Sequence, residues 1–482
     1  MLTWEALAER QVPSWFQDAK LGILVSWGPA AVPAWAPPGG DLSRTVAESG
    51  WEYWFRHNPY AEWYANSMLL SGSPTQAHHR ARWGRLARYD TFVRAFRQGL
   101  KDWDPASLVQ SLAASGARYV VLTAKDHDGF LLWPSRRRNP RKAGWQVQRD
   151  IVGEIAQAAR AQGQKFGIAY SGGLDWTFGG LPIKNLADLQ RGTPRSRSYA
   201  GYVDAHWREL ISRYEPSLLW NDIGSPPGEN LLKLLGTYYD AVPDGLVNDR
   251  FGESEVDEQG VLVRALRSVL GALGGRSRQR TSRGLAAPVI RHADFRTFEY
   301  ALPPDGTTGA WECVRGLGSS IALNMAEPEE DLMGVDALVR LLVNVVAQGG
   351  NLLLGVGPGA DGNLTEPVKR RLVALGQWLK LNGEAIYGSR PWGDSQSSTP
   401  DGVPIRYTTR GITTYAILNG TPTGRTIVLP GLRFLPYSGV RILGSISYVA
   451  WFQEGKDVHI RLTEPLHPSP AHVISITPQP SV

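Results

Sequence analysis

Four short stretches carry residue types that could do chemistry together. Asp222 lies in LLWNDIG and Glu299 in DFRTFEY; Asp126, His127 and Asp128 lie in TAKDHDG; Asn248, Asp249 and Arg250 lie in LVNDRFG. Each polar cluster follows, or closes, an apolar run of strand length. Glycoside hydrolysis needs two carboxylates: one attacks the anomeric carbon and the other protonates the departing oxygen. An Asp and a Glu from the ends of different strands would supply that pair. Spacing alone does not select them, because the chain has 45 acidic residues and most acids are solvated or cap helices.

The elements that would position these groups alternate along the chain. The runs 21–27, 118–124, 165–170, 216–220, 245–249 and 351–357 are apolar on both faces, as buried parallel strands are. Segment 294–300 is a further candidate strand. Helical patterns lie between them: 106–116, ending at Gly116; 150–163, with Asp150 placed as an N-cap and Gly163 at the C-terminus; and 335–350. Strand and helix alternate for more than 300 residues, so the fold class is α/β, and the size favours a (β/α)8 TIM-type barrel over an open sheet. In such a barrel the catalytic side chains sit just past the C-terminal strand ends. After about residue 390 the character changes. Segments rich in β-branched residues, separated by Gly, Pro and Asn turns, predict a C-terminal antiparallel β-sandwich. The expected division is a barrel over 1–390, with an insertion at about 252–291, and a sandwich over 391–482. Within the insertion, VLVRALRSVLGALGG fits a short amphipathic helix and RSRQRTSRG is Arg/Ser/Gly-rich.

Composition narrows the function classes. The net charge of +6 concentrates in 135–142 and 264–291; no nucleic-acid-binding motif accompanies it, so solvated loops are expected and nucleic acid is not. The 18 tryptophans either stack on sugar faces or fill a large core. The single cysteine, Cys313, allows no intrachain disulfide. The N-terminal stretch shows no signal-peptide pattern, and no run is long and apolar enough to span a bilayer, so no membrane partner is expected and the expected location is the cytoplasm. His57, His78 and His79 lack metal-ligand spacing; no metal and no cofactor are expected.

Ten segments occur in the order found in one known family: 15–35, 58–67, 123–133, 170–178, 218–224, 247–252, 294–300, 311–320, 348–358 and 382–392. On these the chain resembles the α-L-fucosidases of glycoside hydrolase family 29 along nearly all of its length. The resemblance implies a retaining exo-glycosidase working by double displacement, with Asp222 on the nucleophile position and Glu299 on the acid/base position. It also implies sugar contacts from Tyr60, Glu62, Trp63, His127, Tyr170 and Trp220, with Arg250 holding charge beside them. Glu312, in WECV, is a rival acid/base, but its Trp and Cys neighbours suggest a buried structural carboxylate. The implied partner is a fucosylated oligosaccharide or glycoconjugate; a homo-oligomer is left open.

The chain departs from the family pattern at defined places. Ser26 and Asp126 stand where the family carries histidines that contact fucose hydroxyls, Leu323 where a tyrosine is usual, and Gly355 where an asparagine is usual. Ser26 is shorter, and Asp126 exchanges a donor for a charged acceptor. Two alternatives therefore stay beside the fucosidase reading. One is a related glycosidase with changed glycone specificity. The other is a carbohydrate-binding protein on a degenerate hydrolase scaffold.

Overall fold

The computed structural model describes residues 2–40, 42–253, 289–304, 307–393, 397–446 and 449–481. Most of the expected insertion, including its helical segment, lies outside the described residues. Among these residues eight parallel strands form one sheet: β1 Leu21–Val25, β2 Tyr119–Lys125, β3 Lys165–Ser171, β4 Leu218–Asp222, β5 Leu246–Val247, β6 Arg296–Glu299, β7 Trp311–Gly316 and β8 Asn351–Val356. The strand order is β5-β4-β3-β2-β1-β8-β7-β6. A parallel bridge between Asn248 and Phe295, with the Asp294 amide donating to the Val247 carbonyl at 3.0 Å, joins the two ends. The sheet therefore closes as a barrel in sequence order.

The strands are apolar on both faces because both faces are covered. Inward-pointing Leu24, Tyr119, Val121, Ala169, Leu218, Trp220, Leu246, Val314 and Leu353 fill the interior, with Phe16 plugging one end. Gly22 is required there: a Cβ would fall 2.2 Å from the Tyr119 ring. The opposite faces pack on helices, among them Pro105–Ala113, Ile151–Ala161, Arg197–Tyr214, Leu231–Ala241, Val335–Ala347 and Glu366–Asn382. The Asp150 side chain caps its helix by accepting from the Gly153 amide. β7 has no counterpart among the apolar runs, because Glu312 and Arg315 break its pattern.

The C-terminal region is two antiparallel sheets facing one another. One contains Pro404–Arg410, Thr413–Leu418, His472–Thr477 and Gly439–Ile442; the other contains Thr426–Leu429, Asp457–Leu462 and Val449–Glu454. Ile405, Leu418, Ile427, Leu429, Val458, Ile460 and Ile474 form their shared core. Tyr415, Ile417 and Val473 face the other way, into the core that includes the barrel helices, and the Trp378 indole donates to the Ala471 carbonyl at 3.0 Å. The fold is thus a TIM-type barrel carrying a β-sandwich.

Candidate active site

The C-terminal strand ends converge on one pocket. It is lined by Ser26 after β1, Lys125, Asp126 and His127 at the end of β2, Tyr170 and Ser171 of β3, Trp220 and Asp222 of β4, Arg250 after β5, and Glu299 of β6. Tyr60, Glu62 and Trp63 reach in from the segment that follows β1, and Ile321 from beyond β7. The eleven candidate catalytic and sugar-contact residues all border this one cavity. Tyr170 does so without offering its ring to a sugar: it is fully buried on the helix side of β3, its hydroxyl 2.9 Å from His206 Nδ1 and its ring packed on Trp207, so the expected sugar contact from this side chain is not made.

Arg250 organises it. Its Nη1 donates to Asp222 Oδ1 at 2.5 Å and its Nη2 to Glu299 Oε2 at 3.1 Å. The guanidinium is buried, lies over the Trp220 ring at 4.5 Å, and uses Nε on Thr297 Oγ1 at 3.3 Å. Burial would lower its proton affinity, but the Asp222 and Glu299 charges outweigh that and raise it. One planar fork therefore holds two carboxylates from adjacent sides of the barrel.

The two carboxylates differ in what remains free. Asp222 Oδ1 also accepts the Ile223 amide at 3.0 Å, whereas Oδ2 accepts no hydrogen bond among the described residues and lies 3.8 Å from His127 Nε2. Glu299 Oε1 accepts the Tyr60 hydroxyl at 3.0 Å. Burial and the Glu299 charge raise the Tyr60 pKa far above its ordinary value, so Tyr60 stays a neutral donor. The Ser171 hydroxyl donates to the Leu174 carbonyl, so the short 2.6 Å contact between Ser171 Oγ and His127 Nδ1 uses the imidazole N–H. That network assigns the tautomer and leaves Nε2 facing Asp222 and the pocket.

Backbone strain marks the same two places. The residues directly after the carboxylates, Ile223 (φ 58°) and Tyr300 (φ 51°), both sit in the left-handed region, which β-branched and aromatic residues avoid. Such conformations cost about 1–3 kcal/mol each and cluster at functional sites. The glycines of YSGGLDW make room for the first: a Cβ on Gly173 would meet the Ile223 carbonyl oxygen at 2.0 Å.

The sequence reading passed over Lys125, Ser171 and Ile321. Lys125 is fully buried, donating to the Ser171 and Leu174 carbonyls at 2.6 and 3.1 Å, with Asp175 at 3.6 Å. It pins the loop after β3 against β2; burial lowers its pKa. A lysine is expected on the surface, so only its place at a strand end could have flagged it. Leu323 does not line the pocket; Ile321 does, and a Cβ on Gly355 would meet Ile321 Cγ2 at 2.6 Å. Asn248 and Asp249 serve the scaffold. Asn248 pairs with the Asn221 backbone at 3.0 Å in each direction, and Asp249 accepts the Thr297 amide at 3.0 Å and hydroxyl at 2.6 Å. Glu312 is fully buried in the barrel, where it accepts the Tyr119 hydroxyl at 2.6 Å and the Trp220 indole at 3.3 Å; burial pushes its carboxyl up to about 7.

These features match a known family over most of the chain. A family model described as Alpha-L-fucosidase matches residues 1–384. The chain belongs to the α-L-fucosidase family. Among its relatives, the α-L-fucosidase of Dictyostelium discoideum is 30% identical over 402 residues, spanning 81% of this chain and 74% of that one. The tissue α-L-fucosidase of Rattus norvegicus is 26% identical over 467 residues, spanning 94% and 86%. The Thermotoga maritima α-fucosidase, solved with a mechanism-based inhibitor, is 36% identical with a TM-score of 0.82, covering 98% of this chain and 99% of that one. The same Thermotoga enzyme solved with fucose gives 34% identity and a TM-score of 0.80. This fucosidase family member is a glycoside hydrolase of α-L-fucosides, with fucosylated glycans as its substrate class.

One wall of the fucosidase pocket is acidic. Glu62 accepts the Ser320 hydroxyl at 3.1 Å and the Ala322 amide at 3.3 Å, yet burial, then the Asp126 charge, pushes its carboxyl up to about 8. Between its usual 4.5 and about 8 the folded state therefore holds a proton that the unfolded chain has lost. This group lowers stability as pH rises through that window. Thermal melts of Glu62→Gln and the parent between about pH 5 and pH 8 are expected to show the parent losing more stability than the variant. Equal slopes would mean that Glu62 does not hold the proton.

Proposed function

We propose that hydrolysis of the α-L-fucoside runs by double displacement with Asp222 as nucleophile and Glu299 as general acid/base. The single observation that supports it best is the Arg250 fork. One guanidinium reaches both carboxylates, which favours the short separation of about 5–5.5 Å used by retaining enzymes over the wider gap that must hold a water. In the first step Asp222 Oδ2, the oxygen without a hydrogen bond, forms a bond to the anomeric carbon. The glycosidic C–O bond breaks as Glu299 gives its proton to the departing oxygen. In the second step the Glu299 carboxylate takes a proton from water. That water's oxygen bonds to the anomeric carbon and releases Asp222. Tyr60 orients Glu299 in both steps.

His127 Nε2, Glu62, Asp126 and Ser26 face the sugar hydroxyls, while Trp63 and Trp220 give the pocket its aromatic walls. Trp63 and Trp176 hold the His127 ring edge-on, with centroids at 5.2 and 5.5 Å. The donor is a fucosylated oligosaccharide or glycoconjugate.

A second reading rests on Ser26. Its residue is 5% exposed, and its hydroxyl has no hydrogen-bond partner among the described residues. A pocket wall with an unpaired hydroxyl beside Asp126 suits a glycone with an additional polar substituent, such as α-L-galactose. A panel of 4-nitrophenyl glycosides led by the α-L-fucoside separates the readings. Preferred turnover of the fucoside supports plain fucosidase specificity, and preference for the galactoside supports a retuned pocket. Turnover of no glycoside, nitrophenyl or oligosaccharide, would leave only a binding role.

The acid/base assignment has its own test. Glu299→Gln is expected to lower kcat/KM by about 10²- to 10⁴-fold on fucosides with poor leaving groups and far less on the activated 4-nitrophenyl fucoside, whose kcat should still fall because the second step loses its base. Glu312→Gln is expected chiefly to lower the melting temperature. The reverse pattern would move the acid/base role to Glu312.

A further inference from the structure

Ser26, Glu62 and Asp126 form a wall with open space on both sides. They line the pocket that holds Asp222 and Glu299, and they also line a smaller side cavity of about 20 Å³. That volume takes one water-sized group. Three carboxylates, Glu62, Asp126 and Asp128, border the side cavity together with Ser26. The rest of its lining is segment 27–31, Phe130 and Ala322; no Lys, Arg or His among the described residues borders it. We infer that this wall receives a cationic group on the sugar, so that the glycone is an α-L-fucoside with an ammonium on ring carbon 4. The inference rests on the sugar being seated with its anomeric carbon at Asp222.

The wall has acceptors in excess. The Ser26 hydroxyl is nearly fully buried and has no partner among the described residues. Glu62 uses only Oε2 on Ser320 and Ala322, at 3.1 and 3.3 Å, and Asp126 uses only Oδ1 on the His127 amide, at 2.6 Å. Asp128 is already tied, to the Phe130 amide at 2.9 Å and the Tyr89 hydroxyl at 2.8 Å. Neighbouring cations are engaged elsewhere. Lys125 donates to the Ser171 and Leu174 carbonyls and lies 3.6 Å from Asp175, while Arg250 holds Asp222 and Glu299. The His127 Nδ1–H is turned to Ser171. Burial, then the Asp126 charge, accordingly pushes the Asp128 carboxyl up to about 7, as it pushes Glu62 to about 8. An ammonium carries three N–H donors and no acceptor, so it matches the three free oxygens and supplies the missing charge. A hydroxyl would satisfy one acceptor and offset no charge.

The ring position follows from the barrel order. Ser26 follows β1 and Asp126 follows β2, and these strands stand across the barrel from β5 and β6, which bring Arg250 and Glu299. The anomeric carbon lies on the Asp222 and Glu299 side, and the pyranose atom opposite it is carbon 4. Size sets a further limit. With room for one small group beyond the wall, a free amino group fits and an N-acetyl group does not.

The test compares kcat/KM of the full-length chain on four 4-nitrophenyl glycosides: the 4-amino-4-deoxy-α-L-fucoside, its N-acetyl derivative, the plain α-L-fucoside and the α-L-galactoside. The amino sugar is expected to lead by about tenfold or more, the scale of a hydrogen bond to a charged group, and the N-acetyl derivative to come last. Asp126→Asn should bring the ratio of amino to plain fucoside toward one. Equal or poorer use of the amino sugar, a lead for the galactoside, or a ratio unchanged by Asp126→Asn would overturn the cationic glycone. Calorimetric titration with free 4-amino-4-deoxy-L-fucose and L-fucose reads the wall without the chemistry. Tighter binding of the amino sugar with no turnover of any glycoside would uphold the wall and count against double displacement; equal or weaker binding would overturn the wall itself.

Discussion

Asp222→Ala is expected to abolish turnover of 4-nitrophenyl α-L-fucoside, with kcat falling by at least about 10⁴-fold, the scale seen when a covalent nucleophile is deleted. The loss should be in kcat rather than KM, because Asp222 meets the anomeric carbon in the transition state and binds few ground-state groups. Folding should survive. The Asp222 side chain is 23% exposed, and its removal leaves Arg250 with Glu299 still at 3.1 Å. A small anionic nucleophile such as azide, added to the variant, fits the space left by the carboxylate. It should restore part of the turnover and give a fucosyl product of inverted configuration, since only one displacement then occurs. Activity within tenfold of the parent would remove Asp222 from the role.

Arg250→Ala should have the largest combined effect on activity and stability. Deleting the cation leaves two largely buried carboxylates facing each other without a partner, and breaking a buried ion pair from one side costs about 3–5 kcal/mol. Arg250→Lys should recover stability better than activity, because a single ammonium cannot reproduce the fork from Asp222 Oδ1 to Glu299 Oε2. Melting curves and kcat for the parent and both variants would read this directly; a lysine variant no more stable than the alanine variant would mean that Arg250 acts by packing on Trp220 alone.

Ser26, Asp126 and Glu62 line the pocket that holds Asp222 and Glu299. On the proposed reading, specificity can change at that wall without touching either carboxylate. The basic stretch at 135–142 belongs to the scaffold: Ser135 and the Arg136 amide are tied to Glu209 at 2.6 and 3.1 Å.

Much of this protein was legible in the chain itself. Strands buried on both faces must be continuously apolar, so β1, β2, β3, β4 and β8 announced themselves, and the caps of Ile151–Ala161 were written in Asp150 and Gly163. Because barrel chemistry sits at strand ends, Asp222, His127, Arg250 and Glu299 could be named from their positions and from the resemblance. What the sequence could not carry were the relations between distant segments. β7 was hidden because Glu312 points into the barrel, where Tyr119 and Trp220 satisfy it. Lys125 looked like a surface charge until the carbonyls of Ser171 and Leu174 were brought around it. The pairing of Asp222 with Glu299 depends on an arginine 28 residues from one and 49 from the other. Which oxygen of Asp222 is left without a hydrogen bond among the described residues depends on closure of the barrel. Local patterns of burial specify elements, but hydrogen bonds and charges act over a few ångströms, and only the folded chain sets those distances.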